Sequence, residues 1–127
     1  MGIQLNHTIA WCSDQKKSAE FLTHVLGLPA PKRFAHFLVV DLENGVSIDY
    51  FETTEHIALQ HFAFLVTESE FDEIVGRIRA LGLETWADPA RTNPGQINHH
   101  DGGRGVYFKD PDSHLLEIIT RPYGSGT

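Results

Sequence analysis

Apolar and polar positions alternate twice along this chain in nearly the same order. IQLNHTIAW reads as a strand, with Ile3, Leu5, His7, Ile9 and Trp11 on one face. A helical stripe follows from about Asp14 to Leu26, carried by Ala19, Leu22, Val25 and Leu26 and stopped by Gly27. HFLVVDLE and VSIDYFE then alternate as two strands around Asn44-Gly45, a strong hairpin signal. The pattern restarts at ALQHFAFLVT, a second strand. Thr67 and Glu70 form a capping box before a helix with Phe71, Ile74, Val75, Ile78 and Leu81 on one side and Gly82 after it. GVYF and HLLEIIT close the chain as a strand pair turning through Asp110 to Ser113.

The two halves align. Leu5-x-His7 recurs as Leu59-x-His61 at an offset of 54, and the helix ends at Gly27 and Gly82 recur at 55. Asp49 and Glu117, on the last strands, are 68 apart, so the second half carries about 13 extra residues. They lie in DPARTNPGQINHHDGG, whose Pro, Gly, Asn and Asp content marks a loop of the length that functional loops often have. The pattern predicts an α+β fold of two βαβββ modules, about 3–53 and 57–121, within a single domain spanning 1–127.

Four residues interrupt the apolar faces at equivalent places. His7 and His61 sit mid-way along the two first strands, and Asp49 and Glu117 on the two last strands. A lone histidine on such a face is more often a hydrogen-bonded core residue than a ligand. Asp49, with Ser47 beside it, also suits an ordinary hydrogen-bonded acid. Jointly the balance changes, because each polar group buried without a partner costs about 2–7 kcal/mol. A divalent cation removes that cost, since neutral imidazole and carboxylate are its ordinary ligands. His7, His61 and Glu117 are therefore the predicted metal ligands. Asp49 ranks behind them because its side chain is shorter.

Composition narrows the setting. With 127 residues, 41% hydrophobic and 21% charged, the chain is long enough for a real core. A formal net charge of -7 argues against a nucleic-acid partner and suits a cationic one. The single cysteine, Cys12, points to a reducing compartment. MGIQLNH lacks the basic and apolar parts of a signal peptide, and no apolar run is long enough to span a bilayer, so a cytoplasmic protein without membrane partners is expected.

GVYFKDPDSHLLEI resembles the aromatic-Phe-x-Asp-Pro-Asp-Gly-x-x-x-Glu ending of the vicinal oxygen chelate superfamily, and SAEFLTHVLGLP its first helix. That superfamily groups glyoxalase I, bleomycin-resistance proteins, fosfomycin-resistance thioltransferases and extradiol dioxygenases. The resemblance covers roughly residues 3–121. It implies a cupped mixed sheet and a metal held by His7, His61 and Glu117, with Fe, Mn, Zn or Ni all open. It further implies a small substrate chelating the metal through adjacent oxygens, in dioxygenase-like or glyoxalase-like chemistry, and a homodimer to which the partner could contribute His7. Two positions depart from the pattern. Ser113 stands where the turn glycine is usual, and Asp49 where glyoxalase I has a glutamate, which weakens that assignment.

Tyr107, ten residues before Glu117, resembles in its spacing a tyrosine that lies beside the metal ligands in extradiol dioxygenases, though thioltransferase members share that spacing and a packed strand aromatic fits as well. His100 and His99, in the inserted loop, are candidates for an acid or base on a lid spanning about 87–103. A drug-sequestering protein of the bleomycin-resistance type is the competing reading, favoured by the acidic charge. It is disfavoured by the retained ligands. A fosfomycin reading lacks a Lys/Arg cluster in the second half, where Arg104, Lys109 and Arg121 are scattered.

Overall fold

A computed structural model describes residues 2–126. The chain divides into two compact units, Met1–Ala58 and Leu59–Thr127. The first contains strand β1 (His7–Cys12), helix α1 (Gln15–Leu26) and strands β2 (Lys32–Phe34), β3 (Phe37–Asp41) and β4 (Ser47–Glu52). They form one sheet in the order β1-β4-β3-β2, with β1 parallel to β4 and the other pairs antiparallel. The Asp14 side chain caps α1 by accepting from the Lys17 amide, and Gly27 ends it with a φ of 71°. Ala19, Leu22 and Val25 bury the helix face, with Ala10, Cys12, Val40, Ile48 and Tyr50 completing the core. Each large apolar side chain so buried contributes about 1.5–3 kcal/mol.

The strand pattern at the N-terminus needs correction. Pairing of β1 with β4 starts at His7 opposite Ser47, so Ile3 and Leu5 precede the sheet and are exposed. Within β1 it is Ala10 and Cys12 that face the core, while His7 and Trp11 lie on the open face. Trp11, Phe51 and Phe37 line that face as tilted rings, with centroids 5.2 Å (Trp11–Phe51) and 5.0 Å (Phe37–Phe51) apart.

The second unit contains β5 (His61–Leu65), α2 (Glu68–Ala80), β6 (Gly105–Lys109) and β7 (Leu115–Ile119), with sheet order β5-β7-β6. β5 runs parallel to β7, and β6 antiparallel to it. Both halves of the Thr67/Glu70 capping box form. Phe71, Ile74, Val75 and Ile78 of α2 are buried, as are Phe64, Val106, Phe108, Leu116 and Ile118. Arg104 lies 4.4 Å from the Phe71 ring centroid and pairs with Glu68 and Asp72 at 2.7 Å each.

This unit has three strands after all, not the four of βαβββ. Between α2 and β6 only isolated bridges form, Trp86 with Tyr107 and with Pro94, and Asn98 with Gly105. Pro94 has no amide hydrogen to extend a ladder there. The inserted loop is ordered instead by side chains. Asp88 accepts from the amides of Thr92 and Asn93 and from the Thr92 hydroxyl, and Asn98 donates to the Ala87 carbonyl. Among the described residues no helix is long and apolar enough to cross a membrane.

Candidate metal centre

The duplicated register places the four odd residues alike. In the first unit His7 stands opposite Ser47 and Ile9 opposite Asp49; in the second, His61 stands opposite Leu115 and Ala63 opposite Glu117. In each unit the acid thus lies across the parallel pair from the residue two beyond the histidine, and the side chains share a face.

Glu117 is 1% exposed, flanked along β7 by Leu115 and Ile119. Its Oε1 faces His61 Nε2 at 3.1 Å. The other ring nitrogen settles what that contact needs. His61 Nδ1 lies 2.9 Å from the Leu115 carbonyl, which can only accept, so Nδ1 carries the hydrogen. In the neutral imidazole Nε2 is then a lone pair aimed at a carboxylate oxygen. Two acceptors at that distance require something between them, either a proton, on Nε2 or on the carboxyl, or a metal ion. An imidazole oriented by its Nδ1–H on a backbone carbonyl, beside a buried carboxylate, is the donor arrangement that metal-binding histidines use.

Two phenols complete this cluster. Tyr123 donates to Glu117 Oε2, and Tyr107 Oη lies 3.0 Å from Tyr123 Oη. The carboxylate accepts only, so the chain runs Tyr107 to Tyr123 to Glu117. Burial first, and the neighbouring carboxylate after it, pushes both phenols above their ordinary range and holds them protonated. The Tyr107 ring also stacks on His61, with centroids 6.0 Å apart and planes 26° apart.

In the first unit His7 Nδ1 lies 2.7 Å from Asn6 Oδ1, so it donates there, and in the neutral ring Nε2 is then a lone pair of the kind a metal ion takes. Asp49 is nearly buried and accepts from the Ser47 hydroxyl at 2.8 Å. Both side chains line a cavity of about 510 Å³, together with Lys32, Arg33, Phe34 and Phe37.

The structure therefore brings His61, Glu117 and Tyr107 together in one unit, and His7 and Asp49 around one cavity in the other. Among the described residues, no group of three or more His, Cys, Asp or Glu side chains stands where it could hold a metal ion. His100 lies against the Tyr123 ring, centroids 6.2 Å apart and edge-on. Tyr123 was not legible as a site residue, because it follows the last strand in RPYGSGT, where no periodicity marks a face. His114, next to the motif, is fully buried and structural: its Nδ1 accepts from the Gln60 amide and its own amide donates to Asp110. Burial pushes the Asp110 carboxyl up.

Comparison with known proteins gives the family. The chain is 31% identical over 122 residues to the glutathione transferase FosA of Serratia marcescens, covering 90% of this chain and 78% of that protein. Among solved structures, the oxidase ChaP-H2 is 55% identical with a TM-score of 0.97, covering all of both chains. The oxidase ChaP-H1 is 56% identical with a TM-score of 0.95, covering 97% of this chain and 99% of that one. The model of the glyoxalase/bleomycin resistance protein/dioxygenase superfamily matches residues 4–118, so the chain belongs to that superfamily, the vicinal oxygen chelate group whose closing motif it carries.

Proposed function

We propose that this chain is a metal-dependent oxidase acting on a small substrate that presents two adjacent oxygens to a divalent ion. The observation that carries the reading is the facing pair in the second unit, where the Nε2 lone pair of His61 meets a buried Glu117 oxygen at 3.1 Å. A proton would join the two groups as an ion pair, and a divalent ion would join them as ligands. His7 is taken as the third ligand, supplied by the partner of a homodimer, with Asp49 as an auxiliary acid. The likeness to two oxidases at 55% and 56% identity supports oxidation over isomerisation.

Bound at these residues, a divalent ion supplies Lewis-acid activation of the substrate oxygens that chelate it. The remaining work belongs to the chain. His61 and Glu117 would hold the ion. Tyr107, stacked on His61, limits rotation of the imidazole, and the two phenols keep their protons on the Glu117 side. Trp11, Phe37 and Phe51 form an aromatic cluster on the open face of the first unit.

The test is elemental analysis of protein purified without chelator, followed by dioxygen uptake with catechols and α-hydroxycarbonyl compounds. His61→Ala and Glu117→Ala each lose most bound metal, and His7→Ala loses it too. A wild-type protein without stoichiometric divalent metal would sink the reading. Metal-loaded protein that consumes glutathione in the presence of fosfomycin, and no dioxygen, would move the assignment to the thiol transfer for which its Serratia relative is named. Tight binding of a bleomycin-like cation without turnover would move it to sequestration.

A further inference from the structure

Within the metal-centre reading just given, the geometry points to Tyr123 as a positioning residue of that centre, delivered by a C-terminal strap that Asp101 clamps. Its role is to pin one oxygen of Glu117 so that only the other faces His61. The two carboxylate oxygens are not equivalent. Oε1 faces His61 Nε2 at 3.1 Å, while Oε2 takes the Tyr123 hydroxyl. Tyr123 is itself held from behind, because Tyr107 donates to its oxygen at 3.0 Å.

Half-exposed segments beyond the last strand ordinarily fray. The segment 121–126 has no helix or strand, and Tyr123 is 55% exposed, yet three constraints fix it. Asp101 receives the Gly124 amide on one oxygen at 3.1 Å and the Gly126 amide on the other at 2.9 Å. The Ser125 amide closes a turn on the Pro122 carbonyl at 3.1 Å, with Gly124 at a φ of 80° that its third position accommodates as glycine. His100 meets the Tyr123 ring edge-on.

The loop carrying the clamp is shaped to reach the strap. Asp101 adopts a φ of 57°, a left-handed conformation that aspartate tolerates better than most residues. At Gly103 a Cβ would stand 2.6 Å from Thr120 Oγ1 and 2.9 Å from Arg121 Cγ, so only glycine lets the loop lie against the root of the strap. The inserted loop thus reaches the carboxylate indirectly, through the strap that Asp101 clamps and His100 packs against.

Cobalt(II) titrations of the full chain, followed by visible absorption, test this. Tyr123→Phe keeps the ring and removes the pin, and metal affinity falls about 10–100-fold with a changed cobalt spectrum, the usual cost of losing a group that orients a ligand. Asp101→Ala gives a loss of similar size. The double variant is no worse than the weaker single one, because both act through one contact. Asp101→Asn, which keeps one acceptor oxygen, recovers part of the affinity. Independently of metal, Asp101→Ala exposes the Gly124 and Gly126 amides to hydrogen exchange. If His61→Ala loses cobalt while Tyr123→Phe binds it like wild type, the strap has no positioning role although the metal centre stands. If Tyr123→Phe weakens binding and Asp101→Ala does not, Asp101 is not the clamp. A wild-type chain that binds no cobalt overturns both readings.

Discussion

Replacing Glu117 by leucine should make the metal-free protein more stable and remove its response to metal. Glu117 is 1% exposed, and without a cation its carboxylate has His61 and Tyr123 as partners. Burying a charged group costs several kcal/mol. Two hydrogen bonds to a charged acceptor return about 1.5–3 kcal/mol each, which leaves little net gain. Leucine fills nearly the same volume and gains about 1.5–3 kcal/mol from burial between Leu115 and Ile119. The partners are not stranded, since the His61 side chain is 47% exposed and Tyr123 55%, so water can solvate both. Glu117→Leu is therefore stabilised by about 1–3 kcal/mol, or about 4–12 °C in Tm for a chain of this size. Metal at about 100 times its Kd adds about 2.7 kcal/mol to wild type and nothing to the variant, so the gap closes or reverses. Thermal melts with chelator and with divalent metal measure both arms. A chelated Glu117→Leu protein that melts below wild type would refute the reasoning, because the carboxylate's polar contacts would then be holding the unit together.

Two further outcomes follow from single residues. Ser113 is an exposed non-glycine residue at a φ of 72°, so Ser113→Gly relieves left-handed strain and stabilises by about 0.5–1 kcal/mol after the entropy of the added glycine, read as a shifted urea midpoint at unchanged slope. Asp88 is held below its ordinary 3.8, first by the Thr92 hydroxyl and then by the amides of Thr92 and Asn93. Its folded value lies below its unfolded one, so its contribution to loop order is present above about 3.8 and fades as pH falls through the lowered value. The Thr92 and Asn93 amide shifts should titrate below 3.8 and stop titrating in Asp88→Asn; a midpoint above that value would contradict the assigned contacts.

Elements punctuated by their own sequence were legible. Asp14 and Gly27 bound α1, Thr67 and Glu70 start α2, and Asn44-Gly45 turns β3 into β4, because each of these effects acts within a few residues. The three residues of β2 are all exposed and offer no alternation to read. The start of β1 was placed too early because Ile3 and Leu5 extend its alternation beyond the point where pairing starts, and only the partner strand decides that point. For the site, His61 and Glu117 were visible as interruptions of apolar faces, and the shared register of the two units explains why their spacing repeated. Tyr123 was invisible for a different reason: its place depends on an aspartate 22 residues earlier, and such tethers leave no periodic trace.

The parallel pairing of β5 with β7 also sets an order of assembly. Tyr107 and Glu117 face each other across an antiparallel hairpin whose turn spans Asp110 to Ser113, a contact that forms locally. His61 and Leu115 are 54 positions apart, and closing that span costs about 2 kcal/mol more chain entropy than closing the hairpin. During folding the carboxylate therefore gains its neighbouring phenol strand well before it gains its histidine. A metal ion that needs both ligands finds them only past the main barrier. Its stabilisation then falls on the unfolding rate, lengthening the life of the native chain while leaving the speed of folding nearly unchanged.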